Sequence, residues 1–211
     1  MLSGCTDSGS GQRSSADSSP APVGHTRTYV FECPGEFSFV ARAEPGKAWV
    51  FLPGDTLGLP QVPSDSGTQY TDGKYRLNIY DHVASLETGN GRYDGCRNNR
   101  ARAIWEHAKL NGVDFRATGN EPGWYLEISN RTDILIVADY GQSRHRFASA
   151  TVSSEPHNRT TVYSARNDGD LVEITITAGA CRDSMSGEAF SAKVSVRLND
   201  TDYQGCGRAL H

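Results

Sequence analysis

The chain has 211 residues, of which 36% are hydrophobic and 22% charged, with a formal net charge of −4. That is apolar material for one large or two small cores, and too little net charge to keep the chain unfolded. No run of about 18 apolar residues occurs, so the sequence offers no membrane-spanning helix, and its acidic balance argues against nucleic acid as a partner.

Residues 1–27 read as a tail. From Thr6 to Thr26 the chain is rich in Ser, Gly, Asp and Pro and nearly devoid of apolar side chains, the composition of a flexible tether. Period-two alternation begins next. Tyr29–Cys33, Phe37–Ala41 and Ala48–Leu52 read as short strands separated by Pro34-Gly35 and Pro45-Gly46 turns. Pro53–Ser66 reads as a loop. Lys74–Tyr80 alternates most clearly, with Tyr75, Leu77 and Ile79 expected inward and Lys74, Arg76, Asn78 and Tyr80 outward. A strand around Ala84–Glu87 leads through Gly89-Asn90-Gly91 to Cys96. Residues 28–96 are thus expected to form a small antiparallel barrel or sandwich.

The period then changes. Ala101, Ile104, Trp105 and Ala108 fall at i, i+3, i+4 and i+7, the apolar stripe of a short helix that Asn111-Gly112 can stop. Strands return at Val113–Thr118, Trp124–Ile128, Ile134–Tyr140, Thr160–Ser164, Leu171–Thr177 and Phe190–Leu198. The expected fold is all-β: a small barrel closed by a disulfide, a short connecting helix, and a second β-rich domain over residues 97–211.

Charge follows the same division. Residues 28–96 carry five basic against nine acidic side chains, whereas residues 97–211 carry fourteen of each. The first half holds the whole negative field and would suit a basic partner.

The five cysteines stand at positions 5, 33, 96, 181 and 206, with no C-x-x-C pair and no histidine at metal-ligand spacing, so no metal site is expected. Pairing Cys33 with Cys96 and Cys181 with Cys206 closes sequential loops of 63 and 25 residues. In the chain-entropy picture such crosslinks stabilise by about 4 and 3.5 kcal/mol, and they imply an oxidising compartment. Cys5 is left over.

Motifs of covalent catalysis, phosphate cradling and dinucleotide binding are missing, so no enzyme and no cofactor are expected. Arg144-His145-Arg146 is a small basic cluster that reads as a solvated turn rather than a phosphate site. Asn130-Arg131-Thr132 and Asn158-Arg159-Thr160 match the glycosylation sequon. The polar, Gly-bearing stretch Ser64–Gly73 reads as an exposed loop.

Three resemblances add to these readings. Leu2-Ser3-Gly4-Cys5 resembles the bacterial lipobox, which implies a lipid anchor on Cys5 and a place in the periplasm, at the outer membrane. Second, Tyr29 and Cys33 form an opening Tyr-x-x-x-Cys, Ser66-Gly67-x-x-Tyr70 runs into Thr71-Asp72-Gly73, an alternating strand and Ala84 follow, and Cys96 closes the segment. With these features residues 28–96 resemble the membrane-bound inhibitor of C-type lysozyme, a family of bacterial envelope lipoproteins. The resemblance implies an eight-stranded antiparallel barrel with one disulfide, which blocks lysozyme by inserting a loop into the substrate cleft. Lysozyme works with a protonated carboxyl beside an ionised one; a serine hydroxyl occupies one of them and a family lysine pairs with the other. By this resemblance Ser66 is the inserted residue, Gly67 lets the loop approach closely, and Tyr70 supports it from the core. Tyr80 stands where the family lysine is expected, followed by Asp81 and His82. Lys74 and Arg76 lie about 13–20 Å back along the strand at a rise of about 3.3 Å per residue. Either inhibition is arranged differently or the target is not a C-type lysozyme.

Third, Asn98-Asn99-Arg100, Ala103-Ile104-Trp105-Glu106, Gly119–Trp124, Cys181–Ser186 and Tyr203-Gln204-Gly205-Cys206 resemble a family of uncharacterised bacterial envelope proteins across nearly all of residues 98–211. Glu121-Pro122-Gly123-Trp124 reads either as an exposed Trp for glycan or peptide or as a Trp packed in the core. The expected function is inhibition of a C-type lysozyme, a basic protein, through Ser66, Gly67, Tyr70 and Tyr80. The alternative is a non-inhibitory envelope lipoprotein that binds a cell-wall fragment or another small ligand through residues 97–211.

Overall fold

A computed structural model describes residues 25–167 and 169–211; the tether expected before residue 25, and with it the Cys5 anchor, lies outside the described residues. Strands β1 (Arg27–Glu32), β2 (Ser38–Glu44), β3 (Lys47–Leu52), β4 (Asp55–Val62), β5 (Thr68–Thr71), β6 (Arg76–Tyr80), β7 (Val83–Thr88) and β8 (Gly91–Asn98) pair neighbour to neighbour into a closed antiparallel barrel. Alternation decides what points inward: Ala48 and Val50 on β3, Leu57 and Leu59 on β4, Leu77 and Ile79 on β6, Ala84 and Leu86 on β7, packed around Phe31 and Phe39.

The ladders are uneven. β1 meets β8 through Phe31 opposite Asn98 and Glu32 opposite Arg97, and β4 meets β5 through Gln61 opposite Tyr70 and Val62 opposite Gln69. The other neighbours pair along most of their length. The Cys33–Cys96 disulfide sits directly at the β1–β8 seam.

β4 lies inside the stretch expected to be a loop. Its alternation is interrupted by Gly58 and Pro60, yet both have a place: Pro60 faces out near the end of the strand, and Gly58 leaves room for the Trp49 ring, which would stand 3.0 Å from a Cβ there. On β6, Asn78 was expected in solvent and is buried instead. It accepts from Gln69 Nε2 (2.6 Å) and donates to Ser85 Oγ (3.2 Å), forming a polar ladder across β5, β6 and β7.

After β8 the chain enters α1 (Arg100–Leu110), capped by Asn99, whose Oδ1 accepts from the Arg102 N–H at 3.1 Å. Nine antiparallel strands follow: β9 (Val113–Asn120), β10 (Gly123–Ser129), β11 (Asp133–Ala138), β12 (Ser143–Phe147), β13 (Thr151–Glu155), β14 (Thr160–Arg166), β15 (Leu171–Arg182), β16 (Ala189–Leu198) and β17 (Thr201–Ala209). Their order in one sheet is β12-β11-β10-β9-β17-β16-β15-β14-β13. The sheet curls around a core that includes Leu126, Ile128, Ile136, Ile174, Val194 and Val196. Edge strand β12 thereby meets the β14–β15 turn, where Asn167 Nδ2 donates to Arg146 O (3.0 Å) and His145 Nδ1 lies 2.6 Å from Asp170 Oδ2. The basic cluster Arg144-His145-Arg146, expected in a turn, is therefore the middle of a strand.

On its outer face the sheet carries α1. Trp105 packs against Phe190 and the Cys181–Cys206 disulfide. The buried positions of the helix are Ala103, Trp105 and Ala108, while Ile104 and Ala101 of the expected stripe are exposed. The stripe is rotated because the barrel also grips the helix: Thr28 Oγ1 lies 3.0 Å from His107 Nδ1, Arg42 Nη1 donates to Leu110 O (3.2 Å), and Arg102 pairs with Glu32 (2.7 Å).

Candidate functional site

Antiparallel order places the β4–β5 loop at the same end of the barrel as the β2–β3 turn, the β6–β7 turn and the end of β8. The loop is short and folded on itself. Ser64 Oγ donates to Ser66 O at 2.7 Å and accepts from Ser66 N at 3.4 Å. The Ser66 hydroxyl is left exposed and has no hydrogen-bond partner among the described residues.

Gly67 fixes where the loop lies. Its φ is +67°, a conformation that costs an L side chain energy, and a Cβ there would stand 2.4 Å from Ile79 O and 2.7 Å from Tyr80 Cδ1. Glycine thus lets the loop rest directly on the end of β6, beside the Tyr80 ring, which is 46% exposed. Tyr70 is on the strand leaving the loop, opposite Leu77 and inside the barrel, and burial pushes its phenol up. Ser66, Gly67 and Tyr80 share one rim, with Tyr70 buried in the wall that carries them.

Neither basic residue of the preceding segment reaches this rim. Lys74 lies in the turn at the opposite end, 4.9 Å over the Tyr75 ring, and Arg76, at the far end of β6 from Tyr80, pairs with Glu87 at 3.3 Å. A cation arrives from another element. Beside Tyr80, Asp81 Oδ2 lies 3.2 Å from His82 Nε2, and His82 contacts the guanidinium of Arg100, the first residue of α1. The backbone holds this junction, with Asn98 N donating to His82 O at 2.8 Å. Sequence reasoning missed Arg100 because it lies 18 residues from His82 and outside the resembling segment; only the run of β8 straight into α1 signals it.

Next to this junction Glu32 accepts from Arg102 and from Asn99 Nδ2, and these bonds hold its carboxyl below the usual range. The contiguous surface therefore runs from a neutral hydroxyl at Ser66, across the Tyr80 ring, to the cluster of Asp81, His82 and Arg100. Chemically it can donate hydrogen bonds to an acceptor in a cleft and present a guanidinium to a neighbouring carboxylate. No group of His, Cys, Asp or Glu among the described residues is placed to hold a metal ion.

The second sheet offers a different surface. Trp124 is buried, donating from Nε1 to Gln204 O at 3.2 Å, so the Glu121–Trp124 segment presents no exposed indole. Nearby, Ile104, Tyr140 and Met185 stand exposed around an open apolar groove of about 600 Å³, with Trp105 and Phe190 in its floor. The Tyr140 ring lies over Gly123, where a Cβ would be 2.8 Å away. No known family model, curated protein or solved structure matches this chain.

Proposed function

We propose that the chain is a protein inhibitor of a C-type lysozyme, held at the bacterial envelope by a lipid on Cys5, which plugs the enzyme's cleft with the rim built by Ser66, Gly67 and Tyr80. The supporting observation is the Ser66 hydroxyl, exposed and unpartnered on a loop that Gly67 seats against Tyr80. Ser66 Oγ bonds one catalytic carboxyl of the enzyme, and Arg100, at the end of the Asp81–His82 chain, takes the pairing role that a strand lysine fills in the family. Tyr80 then covers the space between them and excludes water. The excess of acidic side chains in residues 28–96 steers a basic enzyme toward the barrel.

The test is residual C-type lysozyme activity on cell walls, titrated with soluble, disulfide-bonded protein from Thr6 onward. Ser66→Ala is expected to weaken inhibition about 10- to 100-fold, the size of one hydrogen bond to a charged group, and Arg100→Gln to weaken it as well. Affinity should fall as salt rises. Oxidised protein that leaves lysozyme fully active defeats the proposal.

The open groove beneath Tyr140 and Met185 supports the second reading, a non-inhibitory lipoprotein that binds a small ligand through residues 97–211. Co-purification of a cell-wall or lipid fragment that Tyr140→Ala releases, from protein inert toward lysozyme, would favour it.

A further inference from the structure

We infer that the cleft between α1 and the β10–β12 side of the second sheet is a docking groove for an extended acidic peptide segment. It shares Arg100 with the barrel rim but otherwise uses different residues, and it does not rest on the lysozyme reading. Two rows of the sheet's outer face define it. Arg208, Arg116, Glu127, Leu135 and Arg146 stand side by side in register across β17, β9, β10, β11 and β12. One step along, Tyr125, Val137 and Arg144 are in register on β10, β11 and β12. Above them α1 supplies Arg100, Ile104 and His107, and the open cleft between has a volume of about 920 Å³.

The charge of this cleft is one-sided. Among the described residues Glu127 is the only carboxylate lining it, and it is already paired with Arg116. Arg208, at the end of the row, is paired with Glu188 at 3.0 Å. Arg144 and Arg146 are exposed and have no carboxylate partner within 4 Å among the described residues. Arg116 is buried, its guanidinium 4.4 Å over the Tyr125 ring, and its Nε–H finds no acceptor. Burial, with the charges of Arg42 and Arg116 acting against Glu127, holds His107 below the usual histidine range. Arg144 and Arg146 thus give the groove two cations that no carboxylate among the described residues neutralises.

Spacing selects the occupant. Arg144 and Arg146 are two residues apart on an extended strand, so their side chains leave the same face about 6.8 Å apart. Carboxylates at alternate positions of an extended peptide repeat at the same distance. Beside the cations the lining is apolar, with Tyr125 and Leu135 on the sheet and Ile104 on the helix placed for intervening side chains. A concave cleft under a helix excludes a bilayer surface.

The test uses fluorescence anisotropy of a labelled (Glu-Leu)3 peptide with the soluble, disulfide-bonded chain. The expected result is saturable, salt-sensitive binding that Arg144→Gln/Arg146→Gln weakens at least tenfold, while Ser66→Ala leaves it unchanged. Charge reversal, Arg144→Glu/Arg146→Glu, is expected to transfer binding to (Lys-Leu)3, which a merely unfolded variant would not show. The proposal is overturned if (Gln-Leu)3 binds as well as (Glu-Leu)3, if the double Gln variant binds as tightly as the parent, or if no peptide binds. It is overturned too if a single-stranded oligonucleotide or inorganic phosphate binds at least as tightly as the acidic peptide.

Discussion

A methyl group at position 67 would collide with the Ile79 carbonyl, a backbone atom that cannot swing aside, while keeping a positive φ that alanine resists. Gly67→Ala must therefore lift the loop off β6. The expected loss is more than about 1 kcal/mol of stability, together with a loss of inhibition exceeding that of Ser66→Ala, measured by denaturant titration and the lysozyme assay on the same sample. His107 is a second residue whose environment predicts a pH dependence. Burial, then the nearby Arg42 charge, lowers its pKa, and both ring nitrogens have neighbours, Thr28 Oγ1 at 3.0 Å and Asn111 Nδ2 at 2.9 Å. Protonation would set an N–H against the Asn111 amide. Because the folded pKa lies below the unfolded value of about 6.5, the stability His107 contributes is complete above that pH and is lost as pH falls through the folded pKa. Melting temperatures between pH 7.5 and 5.5 should fall in the parent protein and fall less in His107→Gln.

At the scale of elements, the helix shows what the sequence could and could not carry. The i, i+3, i+4, i+7 spacing announces α1, but the buried face contains Ala103 and omits Ile104, because a periodicity does not say that a helix will be gripped from two sides. Trp105 bears most of that grip, packed on Phe190 with the Arg208 guanidinium 4.4 Å over its ring. Trp105→Ala is expected to cost about 3–5 kcal/mol and to free α1, read as lost protection of its amides. β6 was legible because Leu77 and Ile79 alternate cleanly, whereas β4 was hidden by Gly58 and Pro60, and β12 by the charges on its exposed face. The rim was legible in part for the same kind of reason. Ser66, Gly67, Tyr70 and Tyr80 lie in one stretch of chain whose motif can be seen, while Arg100 joins them because β8 pairs with β7 beside His82 and runs straight into α1, a placement that no local pattern encodes.

For the whole molecule, the strand ladders stay within each half, and so do the disulfides, Cys33–Cys96 in the barrel and Cys181–Cys206 under α1. The two short ladders of the barrel divide it into two leaves, β1–β4 and β5–β8. One short ladder is fastened by Cys33–Cys96; the other has no covalent tie. Hydrogen exchange under native conditions should find the amides of Gln61–Tyr70 opening before those of β2, β3, β6 and β7, with the gap narrowing when Cys33–Cys96 is reduced. The barrel is then a clamshell hinged on its disulfide, and the Ser66 loop rides on the lip that parts. A partner seated on that loop holds the shell shut, so binding at the rim should slow breathing along the whole β4–β5 lip, well beyond the partner's own footprint.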